Sequence, residues 1–529
     1  MGVYGGRRPL TRRPSLLSLV HEVLAVGPSV LRSVRSYSYG QPVHKTHPEL
    51  LHSDEITVGI TAREYWQRRQ ALARLMIPGS VAVLPASSTT FMAGIIPYPY
   101  RQNPDLLYCT GLLQPAVAVI QAADSTTEDS NASGQSSEIM PRSRLILFLE
   151  PPNPDKDRWD GNRLDREAAL EIFGAEDVHY ISEMPRKLTQ YCLSALSGGH
   201  GSIYFDINNT SSFNHAALST LIKKALSSSF NAAEAAAADD KQLMMSSQQS
   251  SLMPLRPLMH ELRLIKSSAE KVLMQRSAAT AAAGLIRCMK RSKPGVGEWQ
   301  LASEFEHACK MAGAQRLSYP SVVASGTDAY YTHYGRNDKI MGDGDLVLMD
   351  AGCELNGYAS DVTRTWPVNG RFSGPQADVY DIVLDVHRRC VEACRPGCSI
   401  RELHTLSTQL ISEGVRDLGL LGSSSSADYI LNSRKYSQFY WHSVSHYLGM
   451  DTHDTHLISH GRPLSEGSII TIEPGLYIPD EERFGAYRGI GVRIEDDVLV
   501  TAEGCQILSQ AVPSARSDIE HLVIAARLE

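Results

Sequence analysis

A repeated segment in the C-terminal half is the feature that most constrains the fold of this chain. Residues 341–352 (MGDGDLVLMDAG) and 464–475 (LSEGSIITIEPG) align without a gap. Each copy has a polar, glycine-containing turn, then an apolar run typical of a buried strand, and ends in an acid and a glycine. Asp350 in the first copy falls on Glu473 in the second. The repeat predicts a duplicated half-domain in which each half contributes a pair of carboxylates.

A tight hairpin is predicted directly after the first copy. Asn356-Gly357 is a strong signal for a two-residue turn, and β-type runs flank it on both sides. With this turn, Gly352 lies opposite Asp361. Asp350 and Asp361 then become diagonal neighbours on one face, with Cβ atoms about 7–8 Å or less apart. That separation suits a pair of metal ions roughly 3.5–4 Å apart.

Four carboxylates and one histidine form the candidate metal site. They are Asp350, Asp361, His446, Glu473 and Glu495. Gathered in one pocket, the carboxylates would carry a charge of about −4, which a protein interior does not tolerate without compensation. Two divalent cations would cancel that charge. Oxygen-rich ligation with a single imidazole favours Mn²⁺ or a similar hard ion, so we predict two divalent metal ions, with Mn²⁺ as the first choice.

These segments resemble those of the metallopeptidases with the pita-bread fold, especially the aminopeptidase P branch and its mitochondrial members. The resemblance extends over roughly residues 58–513. Its motifs are YRQNPDLLYCTG (100–111), ELRLIKSSAE (261–270), HSVSHYLGMDTHD (442–454), TIEPGLYIP (471–479) and GVRIEDD (491–497). It implies an α/β (α+β) protein in which an N-terminal α/β domain precedes a C-terminal pita-bread catalytic domain made of two duplicated halves. It also implies a hydrolase that removes the N-terminal residue of a peptide or protein.

The resemblance implies roles for residues around the metal ligands. Glu473 is expected to shuttle a proton as well as to bind metal. His333 is expected beside the substrate, His442 near the cleft, and His453 within hydrogen-bonding reach of the tetrahedral intermediate. Arg493 lies two residues before a predicted ligand and on the same strand face, which predicts that it orients a ligand carboxylate.

Shifts in composition, helix-capping residues and the alternation of strand-like and helix-like segments predict the domain organisation of the chain. We expect a targeting segment at 1–37, an N-terminal domain of the aminopeptidase P type at 38–230, a low-complexity linker at 231–254, and the catalytic domain at 255–529. The N-terminal domain alternates strand-like and helix-like segments, as α/β domains do. The linker combines an alanine run with MMSSQQSS, and we expect it to be mobile and helical in part. In the catalytic domain, Ser267 with Glu270 and Ser399 with Glu402 predict capped helix starts.

The first 37 residues have the composition of a mitochondrial targeting segment. They contain six arginines, no lysine and one acid in a Ser- and Leu/Val-rich context. Arg35-Ser36-Tyr37-Ser38 then matches the pattern at which the matrix processing peptidase leaves a bulky residue at the new N-terminus. We therefore predict a mitochondrial matrix location and a first cut after Ser36 that exposes Tyr37.

Composition limits the expected partners. The net charge of −7 gives no reason to expect nucleic acid, and no apolar run reaches the approximately 20 residues that a membrane span needs. Nine scattered cysteines without a CxxC pair favour a reducing compartment. We interpret the evenly spaced Cys390, Cys394 and Cys398 as packing thiols, because a Pro-Gly pair ends the helix before the third. Peptide or protein N-termini are the expected substrates, and a homodimer is left open.

Two specificities fit the predicted site. One is the removal of a single bulky residue (Tyr, Phe or Leu) left on imported proteins after presequence cleavage, and Tyr37 in the chain's own leader favours it. The other is cleavage before proline, as in aminopeptidase P. A prolidase and a pita-bread module that binds partners without metal are further alternatives. The complete ligand set argues against the last of these.

Overall fold

Apolar strands build a six-stranded mixed sheet in the N-terminal half of the computed structural model. In spatial order its strands are Leu252–Met253, Ile203–Tyr204, Val81–Pro85, Ala116–Ala122, Ser143–Leu149 and Asp177–Tyr180. The three long central strands are antiparallel, and the outer pairings at both edges are parallel. The central strands are buried along most of their length, which explains why they appear in the sequence as continuous apolar runs.

Helices cover both faces of this sheet. Successive side chains of a strand point to opposite faces, so each buried strand contributes apolar side chains to two cores. Val81 and Val83 lie in one core with side chains of the helices Met184–Ser197 and His215–Ala236. Ala82 and Leu84 lie in the core on the other face. That second core contains side chains of the helices Ala62–Leu75, Pro104–Thr110 and Arg166–Phe173. The prediction of an α/β N-terminal domain is confirmed.

The core on the second face continues into the catalytic half. It includes Leu273, Met274, Tyr358, Leu448 and Ile469, all from beyond residue 255. The described residues from Tyr39 onward accordingly form one compact unit. The two domains therefore share apolar packing, which makes the position of the catalytic loops depend on both.

The structure describes residues 39–124, 143–197, 201–236 and 251–527, so the predicted targeting segment 1–37 and Tyr37 lie outside the described residues. The predicted linker 231–254 is described only at its ends, and its C-terminal end differs from the prediction. Its alanine-rich start continues the helix His215–Ala236, because alanine has the highest helix propensity. Its last part forms the strand Leu252–Met253, which pairs in parallel with Ile203–Tyr204 and so belongs to the N-terminal sheet.

Two similar halves build the catalytic domain, as the sequence repeat predicts. The first has the helices Ser268–Arg291 and Glu298–Met311 and a sheet of Val322–Ser325, Leu346–Ala351 and Val362–Pro367. The second has the helices Gly374–Ala393 and Ile400–Asp417 and a sheet of Ile469–Ile472, Asp496–Val500 and Cys505–Ile507. The predicted capping boxes of Ser267 with Glu270 and of Ser399 with Glu402 are both formed.

Shorter elements complete the described chain. The strands are Glu55–Thr57, Ile60–Thr61, Phe91–Ala93, Ile96–Pro97, Arg316–Leu317, Cys353–Leu355, Tyr358–Ala359, Gly475–Tyr477 and Gly491–Arg493. The helices are Pro154–Asp160, Arg256–Leu264, Ala427–Asn432 and Arg516–Ala525, with 3₁₀ turns at Ile181–Glu183, Gly326–Tyr330, Lys435–Gln438 and Glu482–Tyr487. Among the residues that the structure describes, no helix has the length and apolar character needed to cross a membrane.

Candidate metal centre

The first hairpin brings two of the predicted ligands together in the register that the sequence predicts. Leu355 pairs with Tyr358, and Ala351 pairs with Val362. Gly352 and Asp361 therefore face each other between these pairs. The two turn residues have positive φ angles of 51° and 84°, as a type I′ turn requires. A Cβ atom on Gly352 would lie 1.8 Å from the carbonyl oxygen of Ser360, so only glycine fits there.

The second half uses a related but different geometry. Ile472 pairs with Asp496, and Gly475 pairs with Arg493. An unbroken register between these pairs places Glu473 directly opposite Glu495. In the first half, by contrast, Asp350 pairs with Thr363, and Asp361 is its diagonal neighbour. The repeated strands thus supply two carboxylates each, one pair diagonal and the other directly opposed.

The carboxylates of both halves converge with one imidazole. The ligand atoms of Asp361, His446 and Glu495 lie within 4.8 Å of one another. His446 Nε2 is 3.4 Å from Asp361 Oδ2 and 3.7 Å from Glu473 Oε1. Asp361 and Glu495 are buried, whereas His446 and Glu473 are partly exposed. The structure therefore gathers these four predicted ligands in one cluster, and Asp350 joins them through a tyrosine.

Tyr319 is a residue at this site that the sequence interpretation missed. Its hydroxyl donates to Asp350 Oδ1 at 2.6 Å and also contacts Asp361 Oδ1. Thr363 was missed as well, and its hydroxyl donates to Glu495 Oε2 at 2.6 Å. Strand alternation could have identified Thr363, because it lies two residues after Asp361 on the same strand face. Tyr319 carries no comparable signal, since it reaches the site from a separate segment.

Arg493 contacts a different ligand from the one nearest to it in sequence. Its Nη2 donates to Asp350 Oδ2 at 2.5 Å, and its Nη1 donates to the hydroxyl oxygen of Tyr477 at 2.9 Å. The Tyr477 hydroxyl in turn lies 2.8 Å from His442 Nε2. Because His442 Nδ1 faces the carbonyl oxygen of Ser443 at 2.8 Å, it carries the proton, and Nε2 accepts from Tyr477. One buried chain of hydrogen bonds therefore joins His442 to a ligand carboxylate.

The remaining histidines lie around the cluster. His446 Nδ1 donates to the carbonyl oxygen of Tyr447 at 3.0 Å, which directs Nε2 toward the carboxylates. The ring of His453 lies 4.6 Å from that of His446 in a T-shaped arrangement. His453 and His333 are both exposed. Partial burial lowers the pKa of His453, and the charges of His446 and His333 lower it further.

The carboxylates shift one another's protonation. Burial raises the pKa of Glu495, and the charges of Asp361 and Glu473 raise it further. Burial and Asp361 also raise the pKa of Asp350, although Arg493 opposes them. The pKa of His446 is raised to about 9, against the effect of burial, by its hydrogen bond to Asp361 and the charge of Glu473. Raised pKa values at several neighbouring groups indicate that the negative charge of the carboxylates exceeds the positive charge of the side chains around them.

The residues present fit a divalent metal pair. Three carboxylates and an imidazole are within reach of one another, and the fourth carboxylate, that of Asp350, is adjacent and pairs with Arg493. Buried acids of this number need further positive charge, and oxygen-rich ligation suits a hard divalent ion. When bound, such ions supply a water of lowered pKa as nucleophile and a Lewis acid for a carbonyl oxygen. Asp350, Asp361, His446, Glu473 and Glu495 are the side chains placed to hold them.

Comparison with known proteins agrees with this fold and site. Residues 272–502 match the model of metallopeptidase family M24, and residues 65–197 match the aminopeptidase P N-terminal domain. The chain is 38% identical to the mitochondrial intermediate cleaving peptidase 55 of Arabidopsis thaliana, over 92% of this chain and 87% of that protein. It is 34% identical to Xaa-Pro aminopeptidase 3 of Homo sapiens, over 97% of this chain and 98% of that protein.

The chain is also similar to solved structures of aminopeptidase P. The Escherichia coli aminopeptidase P with the inhibitor Pro-Leu matches with a TM-score of 0.76 and 33% identity, over 89% of this chain and 100% of that chain. The fold and the carboxylate–histidine cluster define a metal-dependent hydrolase with a pita-bread catalytic domain. The chain belongs to metallopeptidase family M24, with the N-terminal domain of the aminopeptidase P branch. The predictions of an enzyme, of this family and of this fold are confirmed.

Proposed function

We propose that this protein removes a single N-terminal residue from peptides and proteins in mitochondria, with a preference for a bulky Tyr, Phe or Leu left after presequence cleavage. The observation that carries the proposal is the cluster of Asp361, His446 and Glu495, whose ligand atoms lie within 4.8 Å of one another in a peptidase fold. The 38% identity to a mitochondrial intermediate cleaving peptidase over most of both chains supports this specificity.

The proposal assigns a role to each predicted site residue. Asp350, Asp361, His446, Glu473 and Glu495 hold two divalent ions, for which we propose Mn²⁺ because the donors are mainly oxygen. Glu473 also holds the proton that moves to the leaving amine. His333 and His442 line the substrate cleft, and His453 hydrogen-bonds the tetrahedral intermediate. Arg493 orients Asp350, to which it donates at 2.5 Å.

A second specificity has its own support. The chain is 34% identical to a human Xaa-Pro aminopeptidase over nearly its whole length and 35% identical to the Escherichia coli Xaa-Pro aminopeptidase. Cleavage before proline would use the same metal centre, so the ligand set alone does not separate the two. The difference must lie in the side chains that contact the first and second residues of the substrate.

Profiling of substrate N-termini distinguishes the two specificities. The purified protein, loaded with Mn²⁺, is incubated with a peptide library in which the first two positions vary, and the released residues are identified. Release of Tyr, Phe and Leu whether or not proline follows supports the proposal, whereas release only before proline favours the alternative. A Glu473→Gln variant is the matched control for contaminating peptidases.

We also propose that the protein removes Tyr37 from itself or from its sister molecules, so that the mature chain begins at Ser38. Sequencing of the mature N-terminus in wild-type mitochondria should find Ser38, and the Glu473→Gln protein should retain Tyr37. Identical ends in both would contradict self-processing. Recovery of the protein in the matrix fraction, and its mass in solution, would address the proposed location and a homodimer.

A further inference from the structure

A row of aromatic rings runs outward from the metal centre to solvent. The ring of Tyr477 lies 4.9 Å from that of Trp441, Trp441 lies 5.2 Å from Tyr330, and Tyr330 lies 5.6 Å from Tyr331. Tyr477 is fully buried, whereas Trp441 is 42% exposed and Tyr331 is 59% exposed. We call Tyr330, Tyr331 and Trp441 the aromatic shelf.

The inner end of the row is tied to the ligands. Tyr477 accepts a hydrogen bond from Arg493, which also donates to Asp350. Trp441 directly precedes His442, and Tyr331 lies two residues before His333. The row of rings therefore begins beside the ligand carboxylates and ends in water. The shelf forms its outer part, and we call this side of the metal centre the mouth of the cleft.

The shelf rings are held in place before any substrate binds. Tyr330 packs against a small apolar cluster that includes Val322, Ala324 and Leu348. The two residues before Trp441, Phe439 and Tyr440, are fully buried and fix the backbone from which it projects. Rigid aromatic rings lose little conformational entropy on binding, so they offer apolar contact area at low cost. Adjacent exposed aromatic rings beside a catalytic centre are typical of a binding surface.

We infer that the aromatic shelf binds the retained part of the substrate, the two residues that follow the cleaved bond, and favours apolar or aromatic side chains there. The inference rests on the proposed removal of a single N-terminal residue at this metal centre. When one residue is removed, it occupies the inner end of the cleft, and the rest of the substrate must leave through the mouth. The rings at the mouth are those of the shelf, and they stack on planar or apolar side chains.

Kinetics on peptides with a constant first residue test the inference. Tyrosine is kept at the first position, while the second and third positions are changed among Ser, Ala, Leu and Phe. We expect kcat/KM of the wild type to be roughly 5- to 10-fold higher with Leu or Phe than with Ser. Trp441→Ala and Tyr331→Ala should bring this ratio close to one, and Trp441→Phe should keep most of it.

Trp159→Ala provides a matched control. Trp159 is 90% exposed on the helix Pro154–Asp160 of the N-terminal domain, and this variant should keep the wild-type ratio. Metal content is measured for every variant. An equal loss of kcat/KM on all peptides by Trp441→Ala and Tyr331→Ala would overturn the inference, because it would indicate a structural role. In a second peptide series the second and third positions are serine and the first residue is varied. A loss that depends on the first residue there would also overturn the inference, because the shelf would then contact the removed side chain.

Failure of the proposed specificity can be distinguished from failure of the inference about the shelf. If the wild type releases only residues that precede proline, the proposed preference fails. The same comparison is then made with proline constant at the second position and the third position varied. A ratio that still depends on Trp441 and Tyr331 supports the shelf, and a ratio of one in the wild type overturns it.

Discussion

Arg263 forms a buried ion pair with Asp454, the residue that follows His453. Arg263 also donates to Asp105 at 2.7 Å and to Asp451 at 2.8 Å. The sequence motifs YRQNPD, ELRLIKS and GMDTHD thus meet at one guanidinium, although none of these contacts involves the metal ligands. The network ties the loop that carries His453 to the helix Arg256–Leu264 and to the N-terminal domain. It accounts for the charged residues Asp105, Arg263, Asp451 and Asp454 in these motifs.

Loss of Arg263 should destabilise the protein strongly. Arg263→Leu leaves Asp105, Asp451 and Asp454 without their shared cation, and breaking a buried ion pair from one side costs about 3–5 kcal/mol. We expect a loss of that size in the free energy of unfolding, measured by urea denaturation. Arg516→Leu is the control, because its pair with Asp381 is largely exposed and should change stability by no more than about 1 kcal/mol. Similar losses in both variants would contradict the assignment.

Removal of a buried ligand should abolish both metal binding and turnover. Asp361→Ala and Glu495→Ala each remove one carboxylate, and the remaining three cannot neutralise two divalent ions equally well. Metal analysis of the purified variants should show less bound metal, and circular dichroism should show a retained fold, since the apolar cores are untouched. Normal metal stoichiometry and activity in both variants would reject the proposed ligand set.

His453 should affect the reaction rate and leave metal binding intact. If its imidazole donates a hydrogen bond to the transition state, His453→Ala should lower kcat by roughly 10²–10³. His456→Ala is the control, because His456 is also exposed and its ring packs against His260. Loss of metal from His453→Ala would instead make this histidine a ligand, contrary to the proposed role.

Acid should weaken the fold partly through His260. Burial lowers the pKa of His260 to about 4, and the positive charges of Arg263 and His456 contribute. Between the unfolded value of about 6.5 and this folded value, the unfolded state binds the proton and the folded state does not. Stability from this group is therefore present above about pH 6.5 and falls as the pH drops toward 4.

A substitution isolates that contribution. His260→Gln removes the titrating group, so the stability of the wild type relative to the variant should fall between pH 6.5 and 4. Urea denaturation at several pH values measures the difference. A difference that does not change with pH would show that His260 titrates normally in the folded protein.

Local features of this protein could be predicted from sequence because near neighbours determine them. The Asn356-Gly357 turn sets the hairpin register, and the register places Asp350 and Asp361 on one face. The caps at Ser267 and Ser399 follow from side chains three residues away. The linker prediction was wrong at its C-terminal end, because pairing of Leu252–Met253 with a strand about 50 residues earlier overrides local composition.

The amino-acid sequence by itself determined the turns, the helix starts, the apolar strands and the candidate ligands, since each depends on residues close along the chain. Only the tertiary structure decided which carboxylate Arg493 contacts, that Tyr319 joins Asp350 to Asp361, and that Arg263 holds the loop at Asp454. These contacts join residues about 30 to 190 positions apart. Their geometry depends on how whole helices and sheets pack. Hydrophobic periodicity and turn residues in the sequence do not specify that packing.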